Sequence, residues 1–257
     1  MRTSPFTRPR TPDTPSLRLV VLHHAGGSAT TFFPLARALP ETWEPVLHDL
    51  PGHGRRRGGP LLETVEDMVE HLVADLDGEL DTPFALFGHS LGAVVAFETA
   101  RALAAQGRPP LWLGVSGRSA PRHRAGGPLA VHSLDDDSLL ASLSAVGGGM
   151  PDRIAEVPEF RDRFLRLVRA DLGAVGAYRP DPGRAPLPCP IGVYSGASDP
   201  WAPAHGAQAW ARETDSLCTH HTMPGGHFYF VDHGPGRLAR AMTADIREAV
   251  PEPVDHA

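Results

Sequence analysis

Apolar residues along this chain fall into two alternating rhythms. Short, mostly apolar runs of strand length occur at Leu17 to His23, Pro45 to Leu50, Phe84 to Phe87, Leu111 to Ser116, Ile191 to Gly196 and Leu217 to Met223. Between them lie stretches in which apolar residues recur every three or four positions. These predict helices over Phe32 to Leu39, from the capping box Thr64-Val65-Glu66-Asp67 to about Leu80, over Ala93 to Leu103, over Ala204 to Arg212, and from about Pro235 to Ala249. Apolar runs without a polar residue at every second place belong to strands buried on both faces. Alternating strands and helices then give a mostly parallel sheet with helices on both faces, an α/β class.

The alternation stops between Ser119 and Pro180. Helical segments there are broken at Gly147-Gly148-Gly149 and Pro151, and Phe160, Phe164, Leu167, Val168, Leu172 and Val175 give one of them an apolar face among Arg and Asp. A helical insertion over about residues 120–180 falls above the carboxyl ends of the strands, so it is read as a lid; a bundle that only packs on the core is the plainer alternative. Residues 1–17, rich in Pro, Thr and Arg, are expected to be a disordered leader, 18–250 a single domain, and 251–257 a tail.

The 257 residues suit one domain with a sizeable core. No apolar stretch reaches the length of a bilayer. The net charge is −6, with no like-charge block longer than Arg55-Arg56-Arg57 or Asp135-Asp136-Asp137, which argues against nucleic acid and anionic membranes as partners. All 24 basic residues are arginine, and asparagine is missing as well. A Ser-Lys dyad, a Schiff-base lysine, a phosphate-loop lysine and an asparagine in an oxyanion hole are thereby excluded. Cys189 and Cys218 stand far apart without metal-ligand spacing. They read as thiols of the core in a reducing compartment, so a cytoplasmic protein with neither metal nor cofactor is expected.

The candidate chemistry centres on Gly88-His89-Ser90-Leu91-Gly92, between an apolar run and a good helix former. Strand, sharp turn and helix in that order form the nucleophile elbow of the α/β-hydrolase fold. The serine is strained at its tip, glycines stand where side chains would collide, and the helix start faces the attacked carbonyl. A serine hydroxyl needs a base, and the base an orienting acid, in the chain order Ser, acid, His. Asp199 follows one strand and His227 the next, so both emerge at the same sheet edge as Ser90. His220 and His221 lie within a strand, His205 in or at the start of a helix, and His233 beyond the loop. Among the acids, Asp171 and Asp181 precede the strand and Asp215 sits at a helix end. Backbone N–H groups of Leu91 and Ala25, the latter in the loop His23-His24-Ala25-Gly26-Gly27-Ser28, are the expected oxyanion donors, with His24 a wall of the site.

On these and further residues the chain resembles the type II thioesterases, stand-alone editing hydrolases of polyketide and nonribosomal peptide biosynthesis. The resemblance runs through Ala25-Gly26-Gly27-Ser28-Ala29, Leu50-Pro51-Gly52 with its arginine-rich loop, Phe87 to Ala93, Val115-Ser116-Gly117-Arg118-Ser119-Ala120-Pro121, and Arg169-Ala170-Asp171 leading to Tyr178. It implies hydrolysis of acyl thioesters on the phosphopantetheine arm of acyl or peptidyl carrier proteins, the triad Ser90, Asp199 and His227, and a flexible lid; a monomer is expected. Carrier proteins are generally acidic, which gives Arg55-Arg56-Arg57, Arg118, Arg122 and Arg124 a docking role, or leaves them as solvated surface. Two departures stand out. Leu22-His23-His24 replaces the family's Phe-Pro and Tyr or His, and His53 follows Leu-Pro-Gly where arginine is usual. A general carboxylesterase acting on small free esters, and a non-catalytic binding protein on the same fold, are the rival readings.

Overall fold

Each of the six apolar runs becomes a strand. In the computed structural model, which describes residues 4–123, 131–148 and 157–249, these strands are β2 (Leu17–Leu22), β3 (Trp43–His48), β4 (Phe84–His89), β5 (Leu113–Ser116), β6 (Ile191–Gly196) and β7 (Cys218–Met223). They pair in parallel in the order β3-β2-β4-β5-β6-β7. Side chains alternate between two cores, as the pleat requires. Val20, Leu22, Val46 and Leu86 face one side, while Leu19, Val21, Leu47 and Phe87 face the other. The residues read as carbonyl-end loops all follow the same edge of this sheet.

The leader departs from expectation. Phe6–Thr7 forms β1, pairing antiparallel with β3 in the register Phe6 to His48 and Thr7 to Leu47. Phe6 is buried in the core, and Arg10 donates to the carbonyls of Trp43 and Pro40. One buried aromatic and a few arginine contacts hold a segment whose composition alone would leave it free. Residues 1–3, Gly149, Pro151, Arg124 and the 251–257 tail lie outside the described residues.

The helices are α1 (Phe33–Ala38), α2 (Val65–Asp75), α3 (Leu91–Ala105), α4 (Asp136–Ala145), α5 (Pro158–Ala177), α6 (Ala204–Gln208), α7 (Tyr229–Asp232) and α8 (Gly236–Ala249). Thr64 caps α2 by accepting from Asp67 N–H at 3.1 Å, and the helix stops at Asp75, short of Leu80, before Gly78 at φ +73°. Helix α3 is buried almost all round, in accord with its nearly unbroken apolar sequence. Helix α8 buries one stripe, Leu238, Ala239, Met242 and Ile246.

The insertion carries α4 and α5. Leu139 and Leu143 of α4 meet Leu165 and Val168 of α5 in a small cluster of their own, whereas Ala174 and Val175 at the far end of α5 join the main core. One helix therefore belongs to both bodies. Its carboxyl half is anchored and its amino half stands above the sheet edge, with Phe160 exposed.

Candidate active site

Ser90 occupies the single residue between β4 and α3, at φ 56° and ψ −112°, the one non-glycine positive φ among the described residues. Such a conformation costs roughly 1–3 kcal/mol and persists only where the surroundings enforce it. Here a Cβ on Gly88 would lie 2.0 Å from Gly92 O, and one on Gly92 would lie 2.5 Å from Leu22 O. The turn is closed by Ser90 N–H donating to Ser116 O at 2.8 Å. Two glycines and a buried strand–helix pair thus hold the hydroxyl out at the edge.

The loops after β6 and β7 are fused to each other. Ala197 N–H donates to Met223 O and Ser198 N–H to Gly225 O, and a Cβ on Gly196 would sit 2.0 Å from Gly226 O. That close approach places Asp199 beside His227, with His227 Nδ1–H donating to Asp199 Oδ2 at 2.8 Å, both side chains almost fully buried. The other carboxylate oxygen accepts from Trp201 N–H at 2.8 Å and Ala202 N–H at 3.3 Å, so the acid is oriented by its own loop. The imidazole packs among the rings of His89, Phe228 and Trp201, with centroids 4.7 to 5.1 Å away. His227 Nε2 is buried without a hydrogen-bond partner, and no hydrogen bond joins it to Ser90 Oγ. In free enzymes such contacts are often long and tighten only around substrate.

Four of the rival residues are committed elsewhere. His221 reaches Asp245 at 2.9 Å, His220 reaches Ala207 O, and Asp181 accepts from Gly183 N–H in an exposed turn. Asp171 has a different task. Its Oδ2 accepts from Gly26 N–H at 2.7 Å and from His53 Nε2 at 3.0 Å, tying α5 to the loop that carries Ala25. Val168, one turn earlier, lies so close that a Cβ on Gly26 would be 2.5 Å from it. His53 Nδ1 faces Pro51 O at 3.0 Å, so both ring nitrogens meet acceptors, an arrangement that favours the imidazolium. Burial opposes that charge, but the Asp171 carboxylate outweighs it and raises the His53 pKa.

Sequence reasoning weighed Asp171 as a rival acid and as part of the family resemblance, and missed this contact. The available signal was a carboxylate within the apolar face of α5, three residues after Val168, where burial demands a partner. His53, standing where the resembled family has arginine, supplies the cation.

Two histidines beside this site, His24 and His89, are neutral. Burial lowers the pKa of His24 to about 4 and that of His89 well below its ordinary value. His24 Nδ1–H donates to Ala25 O at 2.9 Å, and His89 Nδ1 and Tyr229 OH both contact Ser116 Oγ. These rings wall the site without adding charge near His227.

Ser90, Ala25 and Leu91 open into a cavity of about 570 Å³, roofed by Leu172 and Val175 of α5. Leu91 N–H sits at the first turn of α3, where backbone donors have no intrahelical acceptor. Arg118, expected on the surface, lines this cavity instead. Arg56, of the arginine-rich loop, is taken by Asp75 at 2.5 Å and by Asp49 O. No helix among the described residues is long and apolar enough to cross a membrane.

Residues 17–246 match the Thioesterase domain family. The chain is 40% identical to the thioesterase PikA5 of Streptomyces venezuelae, over 84% of this chain and 76% of that one. It is 30% identical to the gramicidin S biosynthesis protein GrsT of Aneurinibacillus migulanus, over 84% of each. The solved type II thioesterase BorB, from the borrelidin biosynthetic cluster, superimposes with a TM-score of 0.83 at 34% identity, covering 96% of this chain and 99% of its own. With its α/β-hydrolase fold and these relatives, the chain belongs to the thioesterase domain family and is a thioester hydrolase.

Proposed function

We propose that the chain releases acyl groups from the phosphopantetheine arm of acyl or peptidyl carrier proteins in a polyketide or nonribosomal peptide pathway. The observation that carries the reading is the Asp199 to His227 contact of 2.8 Å, with Nε2 left unpartnered at the sheet edge that presents Ser90. Ser90 Oγ attacks the thioester carbonyl while His227 Nε2 takes its proton, and Asp199 holds the imidazole tautomer and balances the imidazolium. Ala25 and Leu91 N–H groups receive the developing oxyanion. The C–S bond breaks, His227 returns the proton to the pantetheine sulfur, and an acyl-serine remains. Water, deprotonated by the same nitrogen, then attacks the ester and frees the acid and the serine. A thiolate leaves readily, so no metal or cofactor is called for. The insertion acts as the lid, because α5 both roofs the cavity and grips the Ala25 loop.

The test is release of free acid from carrier proteins loaded with acyl groups of varied length, beside a soluble ester of the same acid. The thioester is expected to be hydrolysed and the ester much more slowly. Ser90→Ala is expected to lower turnover by about four orders of magnitude or more while remaining folded. Undiminished turnover in Ser90→Ala, or a preference for the ester, would refute the reading.

A further inference from the structure

We propose that Arg118 is an anion-recognising residue of the substrate cavity, and that it binds a phosphate or carboxylate carried by the substrate itself. This rests on the thioesterase reading above. Arg118 follows Gly117 at the end of β5, where φ is +61° and a Cβ would lie 2.4 Å from the His89 ring. Trp210 Nε1–H donates to Arg118 O at 2.8 Å and fixes the backbone. The residue lines the same cavity as Ser90 and is only partly exposed.

The other arginines nearby have visible occupations. Arg184 pairs with Glu98 at 2.6 Å and Glu213 at 3.2 Å; Arg122 lies 3.7 Å from Glu213 and donates to Arg184 O; Arg179 donates to Gly176 O and Tyr178 O. The Arg118 guanidinium makes no ion pair or hydrogen bond among the described residues, and no Asp or Glu lines the cavity. Burial lowers its pKa to about 10, which still leaves it cationic at neutral pH.

A partly dehydrated guanidinium that faces a cavity without a protein partner is free to take a ligand anion. Its planar fork fits an oxyanion bidentately, which singles out phosphate and carboxylate among ligand chemistries. Two parts of the proposed substrate carry such a group: the phosphate of the pantetheine arm, and the free carboxyl of a malonyl-type acyl unit. The cavity charge is thus read as a specificity device, whichever source supplies the anion.

Three pantetheine thioesters separate the sources: propionyl-pantetheine, which has no anion, propionyl-phosphopantetheine, and methylmalonyl-pantetheine. We expect one anionic substrate to exceed the neutral one in kcat/KM by about tenfold or more in the wild type. That ratio should fall to about one in Arg118→Met and be kept in part by Arg118→Lys, which keeps the charge but not the fork. The anion that gains identifies the group recognised. No anionic advantage in the wild type, or an advantage retained by Arg118→Met, overturns the proposal.

Hydrolysis of propionyl-pantetheine reads the thioesterase chemistry separately. Should it not be turned over, calorimetric titration of phosphopantetheine, pantetheine and methylmalonate still decides the role of Arg118. Anion binding that is lost in Arg118→Met supports it, and absence of anion binding sinks it.

Discussion

Ser90 keeps its strained backbone because its neighbours leave no alternative, and that makes the elbow testable one atom at a time. Gly92→Ala adds a methyl group 2.5 Å from Leu22 O and 2.6 Å from His23 O, both backbone atoms that cannot swing away. Helix α3 must then move off the strand that feeds the Ala25 loop. The expected loss is about 1–3 kcal/mol in urea unfolding, together with most of the thioester turnover. Gly58→Ala, where nothing lies within 4 Å and φ is not positive, serves as the control and is expected to change neither. At Asp199 the issue is charge. Asp199→Asn keeps the shape but removes the carboxylate that fixes the His227 tautomer, so kcat is expected to drop by about 10⁴ with KM little altered. Both expectations were legible in the sequence, since Gly-x-Ser-x-Gly and the order Ser, Asp, His answer local needs: a tight turn, and loops at one sheet edge.

At the level of elements, helix α5 was foreseeable and its attachments were not. The recurrence of Phe164, Val168, Leu172 and Val175 is a local pattern, whereas the bond from Asp171 to Gly26 spans 145 residues and leaves no local trace. Strand β1 escaped for a related reason: two residues at a sheet edge generate no periodicity, and only the burial of Phe6 against β3 orders them. The Asp171 contact yields its own prediction. Asp171→Asn removes the counter-charge of His53, so the buried ring gives up its proton and the charge-assisted bond is lost, at an expected cost of about 1–3 kcal/mol. It also loosens Gly26, so kcat should fall more than KM rises. The pH signature separates this from a general weakening. His53 has its folded pKa raised above 6.5, so its stabilising contribution is complete below 6.5 and is lost as pH rises through the folded value. Urea midpoints measured from pH 6 to pH 9 should show this decline in the wild type and lose it in Asp171→Asn.

Across the whole molecule the larger body of buried histidine acts in the opposite direction. His23, His24, His48 and His89 all have folded pKa values lowered by burial. Geometry agrees for His23, whose Nδ1–H donates to His24 O while Nε2 accepts from Leu50 N–H, an arrangement only the neutral ring can make. Of the fourteen histidines only His24 was legible as a wall of the site, because burial of the others is decided by contacts between distant segments. A histidine with a depressed folded pKa stabilises above its unfolded value of 6.5, and that contribution is lost as pH falls below 6.5 toward the folded value. Each such group adds a slope of about 1.4 kcal/mol per pH unit in that window. His53, protonated in both states there, does not offset them. A domain of this kind holds only about 5–15 kcal/mol in reserve, so a loss shared by several buried rings is a sizeable part of it. Stability is therefore expected to fall as pH drops below 6.5, with the extra protons bound on unfolding measured by potentiometric titration alongside circular dichroism. A stability that stays level from pH 7 to pH 4.5 would mean that these rings take up protons as readily in the fold as in the unfolded chain, and that burial does not hold them neutral.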